Sequence, residues 1–219
     1  MNAIRVTVID YGLGNLFSIS RALSHVGATV EMTSDPDAIR RARGVVLPGV
    51  GAFGDGMRQL RNRGLIEPIE DVAQSGRPLL GICLGMQLLF KGSEEFGMHE
   101  GLGLMEGRVR RLRDTDPDGR RVKVPHIGWS ALQPSAGLAH WRDTVLDGLA
   151  EGDAMYFVHS YIPFPEREAT TIAQMAYGGR AYAAVVAQGR VTGCQFHPEK
   201  SGAAGLSLLR NFVQAAGGS

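Results

Sequence analysis

The stretch from Arg77 to Lys91, RPLLGICLGMQLLFK, restricts the fold more than any other part of the chain. Pro78 to Ile82 is a short apolar run of the kind that forms a strand buried on both faces. After Gly85, Met86, Leu88, Leu89 and Phe90 resume at helical spacing. A strand feeding directly into a helix is the building unit of a parallel α/β sheet. Cys83 stands on the join, with Gly81 two residues before it and Gly85 two after. Glycines at those positions permit a tight turn on which a nucleophile protrudes, the geometry of the serine elbow of hydrolases. Helix N-termini stabilise thiolates through unpaired N–H groups and the helix dipole. The competing reading of Cys83 is a small buried hydrophobe, since free cysteine is among the most buried residue types. The flanking glycines favour the nucleophile.

The preceding chain repeats the strand-to-helix pattern. Ile4 to Ile9 reads as a strand ending at Asp10, and Tyr11-Gly12-Leu13-Gly14-Asn15 turns into a helix carrying Leu16, Ile19, Leu23 and Val26. Gly12 and Gly14 begin a dinucleotide fingerprint, but its third glycine is missing. Strands follow at Thr29 to Thr33 and Gly44 to Leu47, with a short helix opened by Asp35-Pro36-Asp37. The turn Pro48-Gly49-Val50-Gly51-Ala52-Phe53 then lies at a strand's C-terminal end, where open α/β sheets place ligands. It is a candidate oxyanion loop, with an ordinary βα turn as the alternative. Helical segments at 54–63 and 66–74 lead to the elbow.

From Met105 the texture becomes alternating and charged. Gly107 to Leu112 and Val122 to Trp129, joined by a turn at 114–119, read as a hairpin of an antiparallel addition to a doubly wound core. Trp129 is either a packed core aromatic or a surface contact. Strands are expected at 156–161, 171–176, 182–186 and 191–196, and Ser201 is expected to cap a final helix. After the last strand comes Gln195-Phe196-His197-Pro198-Glu199. His197 suits the base that takes the thiol proton. Glu199, on the same side of an extended segment, suits the group that orients the imidazole. His126 and His159 read as structural or substrate-positioning, because a single base already serves the mechanism. Cys194, His197 and Glu199 also form a conceivable metal set, with no second CxxC or HxxxH to support it.

Composition narrows the rest. With 219 residues, 44% of them hydrophobic, one sizeable core and a single domain over 1–219 are expected. A formal net charge of +1 provides no general basic field for nucleic acid or an anionic membrane, and no apolar run approaches a bilayer span. The start, MNAIRVTVID, leads into a strand rather than a signal peptide. Two cysteines without a secretion signal point to a reducing cytoplasm and against a Cys83–Cys194 disulfide.

Together GICLGMQ at 81–87, PGVGAF at 48–53 and FHPEKS at 196–201 closely resemble the class I (triad) glutamine amidotransferases. With YGLGN at 11–15, VPHIGWS at 124–130 and YFVHSY at 156–161, the chain is similar over essentially its full length to the HisH family, the glutaminase subunits of imidazole glycerol phosphate synthase. The resemblance implies an α/β fold with a flavodoxin-like core. That fold has a doubly wound, mixed but mainly parallel sheet with flanking helices, plus a small antiparallel sheet. It implies that Cys83 attacks the carboxamide of glutamine, that His197 protonates the departing ammonia, and that water then releases glutamate. The Leu84 N–H and a backbone N–H from the Gly49-Val50-Gly51 turn, at Val50 or Gly51, would hold the oxyanion. Gly49, Gln87, Glu95, His159, Ser160 and Tyr161 would contact glutamine. Asn15, Trp129, Tyr156 and Lys200 would meet the partner, the (β/α)8 barrel cyclase HisF.

The implied complex is a heterodimer with an ammonia channel. In it, ammonia reacts with the nucleotide PRFAR to give imidazole glycerol phosphate and AICAR in histidine biosynthesis. No cofactor and no metal is implied. The chain departs from the family pattern at Ser130, where Asn is common, and at Cys194, usually an apolar position. The rivals are a glutaminase subunit of another complex, such as pyridoxal phosphate synthase, and a noncatalytic scaffold of the same fold. Intact Cys83, His197 and Glu199 speak against the scaffold. Glycine beside the Gly49–Val50 peptide tolerates either peptide orientation, so the free chain is expected to be a poor glutaminase switched on by its partner.

Overall fold

The computed structural model describes residues 4–136, 138 and 140–218; the remaining positions, including both ends of the expected domain, lie outside the described residues. In order the elements are β1 (Ile4–Ile9), α1 (Leu16–His25), β2 (Ala28–Thr33), α2 (Pro36–Arg41), β3 (Val45–Leu47), α3 (Phe53–Asn62) and α4 (Ile66–Gln74). Next come β4 (Leu79–Ile82), α5 (Leu84–Leu88), β5 (Phe90–Ser93), β6 (His99–Glu100), β7 (Met105–Arg111), β8 (His126–Pro134) and β9 (Ala154–His159). The chain ends with β10 (Tyr161–Pro165), β11 (Thr171–Tyr177), β12 (Arg180–Gln188), β13 (Val191–Cys194) and α6 (Gly202–Gly217).

Nine strands form one sheet in the order β2-β1-β3-β4-β13-β12-β11-β8-β9. From β2 to β13 neighbours are parallel, and from β13 to β9 they are antiparallel. Strands β3, β4 and β13 are buried at every residue, as expected of strands covered on both faces. Their side chains divide by the two-residue period. Val6, Val8, Val46, Leu80 and Ile82 enter one core with α1 and α6, while Ile9, Val45, Leu47 and Leu79 enter the other with α3 and α4. In α1, Asn15 supplies the N-cap by accepting from the Ser18 N–H, and Ile19, Ala22 and Leu23 form the buried stripe.

Three expectations fail. Segments 107–112 and 122–129 do not pair: β7 lies between β10 and β5 in a four-stranded sheet, whereas β8 lies between β11 and β9 in the large one. Alternating polarity marks a strand and its inner face but does not choose its neighbour. The smaller sheet is mixed rather than wholly antiparallel, because β5 runs parallel to β7. Helical spacing after Gly85 persists only to Leu88, and Phe90 opens β5, with Phe90 and Gly92 buried and Lys91 exposed.

Candidate active site

The chain runs from β1 outward to β2 and then crosses back to β3 on the other side of β1, which makes the β1/β3 boundary a topological switch point. The loops leaving the C-terminal ends of β1, β3, β4 and β13 therefore converge on one edge of the sheet. Registers Leu47↔Gly81, Gly81↔Gly193 and Ile82↔Cys194 level the three central strands. Cys83 comes next beyond Ile82, its N–H bonded to the Cys194 carbonyl at 2.8 Å. Its backbone sits at φ 53°, ψ −109°, a conformation costing roughly 1–3 kcal/mol for a residue with a side chain. The neighbouring glycines are required by contact rather than by φ. A Cβ on Gly85 would collide with the Leu47 carbonyl oxygen, and one on Gly81 would lie 2.7 Å from the Gly85 carbonyl oxygen.

His197 leaves β13 with its N–H bonded to the Tyr156 carbonyl at 3.0 Å. Its Nδ1–H donates to Glu199 Oε1 at 2.9 Å, both side chains being buried, so Nε2 is the nitrogen left for the Cys83 sulfur. Burial works against the imidazolium, but the hydrogen bonds to Cys83 and Glu199 and the charges of both outweigh it, and the His197 pKa is pushed up to about 10. Among the described residues Glu199 Oε2 has no hydrogen-bond partner, although it is buried. Ser201 stands at the N-cap of α6 but makes no cap bond with its side chain. Instead its hydroxyl donates to the His197 carbonyl at 2.7 Å and accepts from the Tyr156 N–H at 3.0 Å, tying His197 to β9. Both cysteines are free thiols.

Cys83 and His197 face a cavity of about 410 Å³ whose wall includes Val50, Gly51, Leu84, Gln87 and Glu95. His159, Ser160 and Tyr161 close another side, with Asn15 and Lys200 also on its rim. Gly49 lies behind this wall, where a Cβ would strike the Tyr11 hydroxyl. Trp129 and Tyr156 lie outside the cavity; they pack edge to face across β8 and β9, with ring centroids 5.7 Å apart and Trp129 58% exposed. Glu95 Oε2 accepts from the Phe53 N–H at 2.7 Å, which leaves Oε1 for other partners, and burial raises its pKa. The Leu84 N–H, expected to be open to an oxyanion, donates to the Gly49 carbonyl at 3.3 Å. In this structure a C=O therefore occupies the position where a second N–H was expected.

Sequence reasoning misses one polar group at the Cys83 sulfur. Gln195 is fully buried, and its Nε2 lies 3.7 Å from Cys83 Sγ. A glutamine between Cys194 and Phe196 in an otherwise apolar run is the available signal. His126 pairs across β8 and β9 with His159, Nδ1 to Nε2, at 3.3 Å, and its own Nε2 lies 3.1 Å from Ser130 Oγ. His159 Nδ1–H donates to the Tyr161 carbonyl at 2.9 Å. Burial lowers both histidine pKa values, that of His159 to about 3, so the pair is neutral. A second cleft of about 400 Å³, bordered by Pro78, Arg190 and Asn211, lies at the opposite edge of the sheet.

The profile described as glutamine amidotransferase class-I matches residues 7–216. The imidazole glycerol phosphate synthase subunit HisH 1 of Legionella pneumophila (strain Lens) is 46% identical over 209 residues, covering 95% of this chain and 98% of that one. The HisH subunit of Geobacillus thermodenitrificans is 49% identical over 208 residues, covering 95% and 94%. Among solved structures, a glutamine amidotransferase superposes with a TM-score of 0.71 at 21% identity, over 97% of this chain and 98% of that one. The PurLQS structure from Thermotoga maritima gives 0.68 at 18% identity, over 97% and 98%. At such identities the two structures carry the fold, while the profile and the close relatives carry the family: this chain belongs to the class I glutamine amidotransferases.

Proposed function

We propose that this chain is the glutaminase subunit of an imidazole glycerol phosphate synthase, working as a single domain. The observation that carries the proposal is the Cys83 elbow with His197 hydrogen-bonded to it and to Glu199, beside a cavity with room for one amino acid. The Cys83 thiolate attacks the side-chain carbonyl carbon of glutamine, and His197 gives its proton to the departing nitrogen, which leaves as ammonia. Water then attacks the thioester, yielding its proton to His197; the C–S bond breaks and glutamate is released. Gln87, Glu95, His159, Ser160 and Tyr161 line the cavity and are assigned to the glutamine itself.

The relatives' name, imidazole glycerol phosphate synthase subunit HisH, supports this reading. The partner we assign is the HisF cyclase, which uses the ammonia to turn PRFAR into imidazole glycerol phosphate and AICAR, and the compartment we assign is the cytoplasm. Its dock is the apolar outer face of β8 and β9, where Ile127, Trp129 and Val158 are exposed, continued by Tyr156, Asn15 and Lys200. With the Gly49 carbonyl on the Leu84 N–H, the free chain lacks its oxyanion site, and losing one oxyanion donor costs roughly 10²–10³ in turnover. Rotation of the Gly49–Val50 peptide, driven by HisF with its nucleotide bound, presents the Val50 N–H beside that of Leu84, and the Gly51 N–H is the alternative donor of the same turn. The test is glutamate release by the chain alone, with HisF, and with HisF plus nucleotide. A steep rise is expected, and equal rates in all three overturn the switch. In the complex, Cys83→Ala abolishes glutamine-dependent synthesis and spares synthesis from ammonium salt; loss of both overturns the role of Cys83.

A further inference from the structure

His197 supplies one hydrogen-bond donor to the Cys83 sulfur. A second comes from Gln195, and its orientation is dictated by a chain of bonds that begins at a carbonyl. The Tyr161 carbonyl oxygen can only accept, and it takes bonds from Gln87 Nε2 at 3.0 Å and His159 Nδ1 at 2.9 Å. Gln87 must therefore present its NH₂ toward Tyr161, and the other hydrogen of that NH₂ meets Gln195 Oε1 at 3.0 Å. Turning Gln195 over would set two NH₂ groups against each other and an amide oxygen against the sulfur. Gln195 Nε2 is thus the atom facing Cys83 Sγ, at 3.7 Å. The side chain is fully buried, so the donor has no water to exchange with.

We propose that Gln195 is a catalytic residue, whose locked side-chain N–H holds the Cys83 sulfur as a thiolate and receives it again when the thioester is hydrolysed. An N–H donated to a thiolate is a charge-assisted bond, whereas the neutral thiol is a weak acceptor, so the contact favours ionisation. The same difference acts in deacylation. Water adds to the thioester carbonyl, His197 takes its proton, the C–S bond breaks with its electron pair left on sulfur, and a waiting donor stabilises that leaving group. Acylation removes the bond from a sulfur that has become a poor acceptor, so Gln195 acts at both ends of the cycle and at neither oxyanion. The proposal rests on Cys83 as the nucleophile.

The test is the pH profile of iodoacetamide alkylation of the full chain, for wild type, Gln195→Met and Gln87→Leu, with folding checked by circular dichroism and melting. Cys194 is fully buried, so alkylation reports Cys83, which borders the cavity. Gln195→Met keeps the volume and removes the donor; the midpoint is expected to rise by about one pH unit, a roughly tenfold slower reaction at pH values below the wild-type midpoint. Gln87→Leu leaves Gln195 in place but unlocks its amide, and a smaller rise is expected. An unchanged midpoint in either folded variant overturns the proposal; should Gln195→Met not fold, Gln87→Leu decides. Alkylation needs neither glutamine nor HisF, so an unchanged midpoint removes Gln195 without touching the glutaminase assignment, which Cys83→Ala tests separately.

Discussion

Replacing His159 with Asn removes a proton site while keeping a donor for the Tyr161 carbonyl. Burial lowers the His159 pKa from 6.5 to about 3, so its neutral form contributes stability above pH 6.5 that is lost as the pH falls toward 3. At pH 5 the loss corresponds to about 1.5 pKa units, or about 2 kcal/mol. His197 pulls the other way. Its pKa is raised to about 10, so its contribution is fully present below pH 6.5 and fades as the pH climbs toward 10. Going from pH 8 to pH 5 the two oppose each other, and the wild-type curve alone conceals both. The readout is the gap in unfolding free energy between wild type and His159→Asn, measured by urea titration at both pH values. The variant is less stable at pH 8 because it loses packing and the bond to His126. At pH 5 the wild type alone bears the cost of the buried imidazole, so the gap shrinks by about 2 kcal/mol. A gap that stays constant refutes the neutral, buried assignment of His159.

Glu199→Gln leaves His197 without a carboxylate for its charged form, and kcat for glutamine hydrolysis in the proposed complex with HisF is expected to fall by roughly 10²–10⁴; unchanged turnover removes Glu199 from the mechanism. Tyr11→Phe deletes a buried hydroxyl that has no partner among the described residues, and denaturant titration should read a gain of about 1 kcal/mol in stability. Gly85→Ala drives a methyl group into the Leu47 carbonyl, at an expected cost of about 3 kcal/mol in thermal unfolding; a near-neutral result would show that the elbow relaxes freely.

The parallel half of the fold is legible because strands buried on both faces, β3, β4 and β13, have continuous apolar sequences, and because glycines mark the turns between them. Cys83, His197 and Glu199 are legible for a related reason: each is a reactive residue at the end of such a run. The partner of β7 is not, since charge alternation in Arg108 and Arg110 is compatible with either sheet. Ser201 misleads because an N-cap position and a bond to a distant carbonyl look alike in sequence. Gln195 escapes because its importance lies in a bond to a residue 112 positions away. The orientation of the Gly49 carbonyl cannot be read at all, for glycine permits both arrangements at similar cost.

The seam of the large sheet also bears on how the chain matures. Strand β13 is the last strand in sequence, yet it sits fifth of nine in the sheet, parallel to β4 and antiparallel to β12. A ribosome that has released only the segment before residue 190 has made the elbow but not the base, and the sheet at that stage has two raw edges where one strand belongs. Insertion of β13 closes both edges and delivers His197 to Cys83 in the same event. The nascent protein therefore cannot hydrolyse glutamine before its sheet is complete; β13 meets β12 as a local hairpin, but its pairing with β4 is long-range, which slows the closing step. Until then, the open edges of β4 and β12 are the surfaces through which two unfinished copies would aggregate.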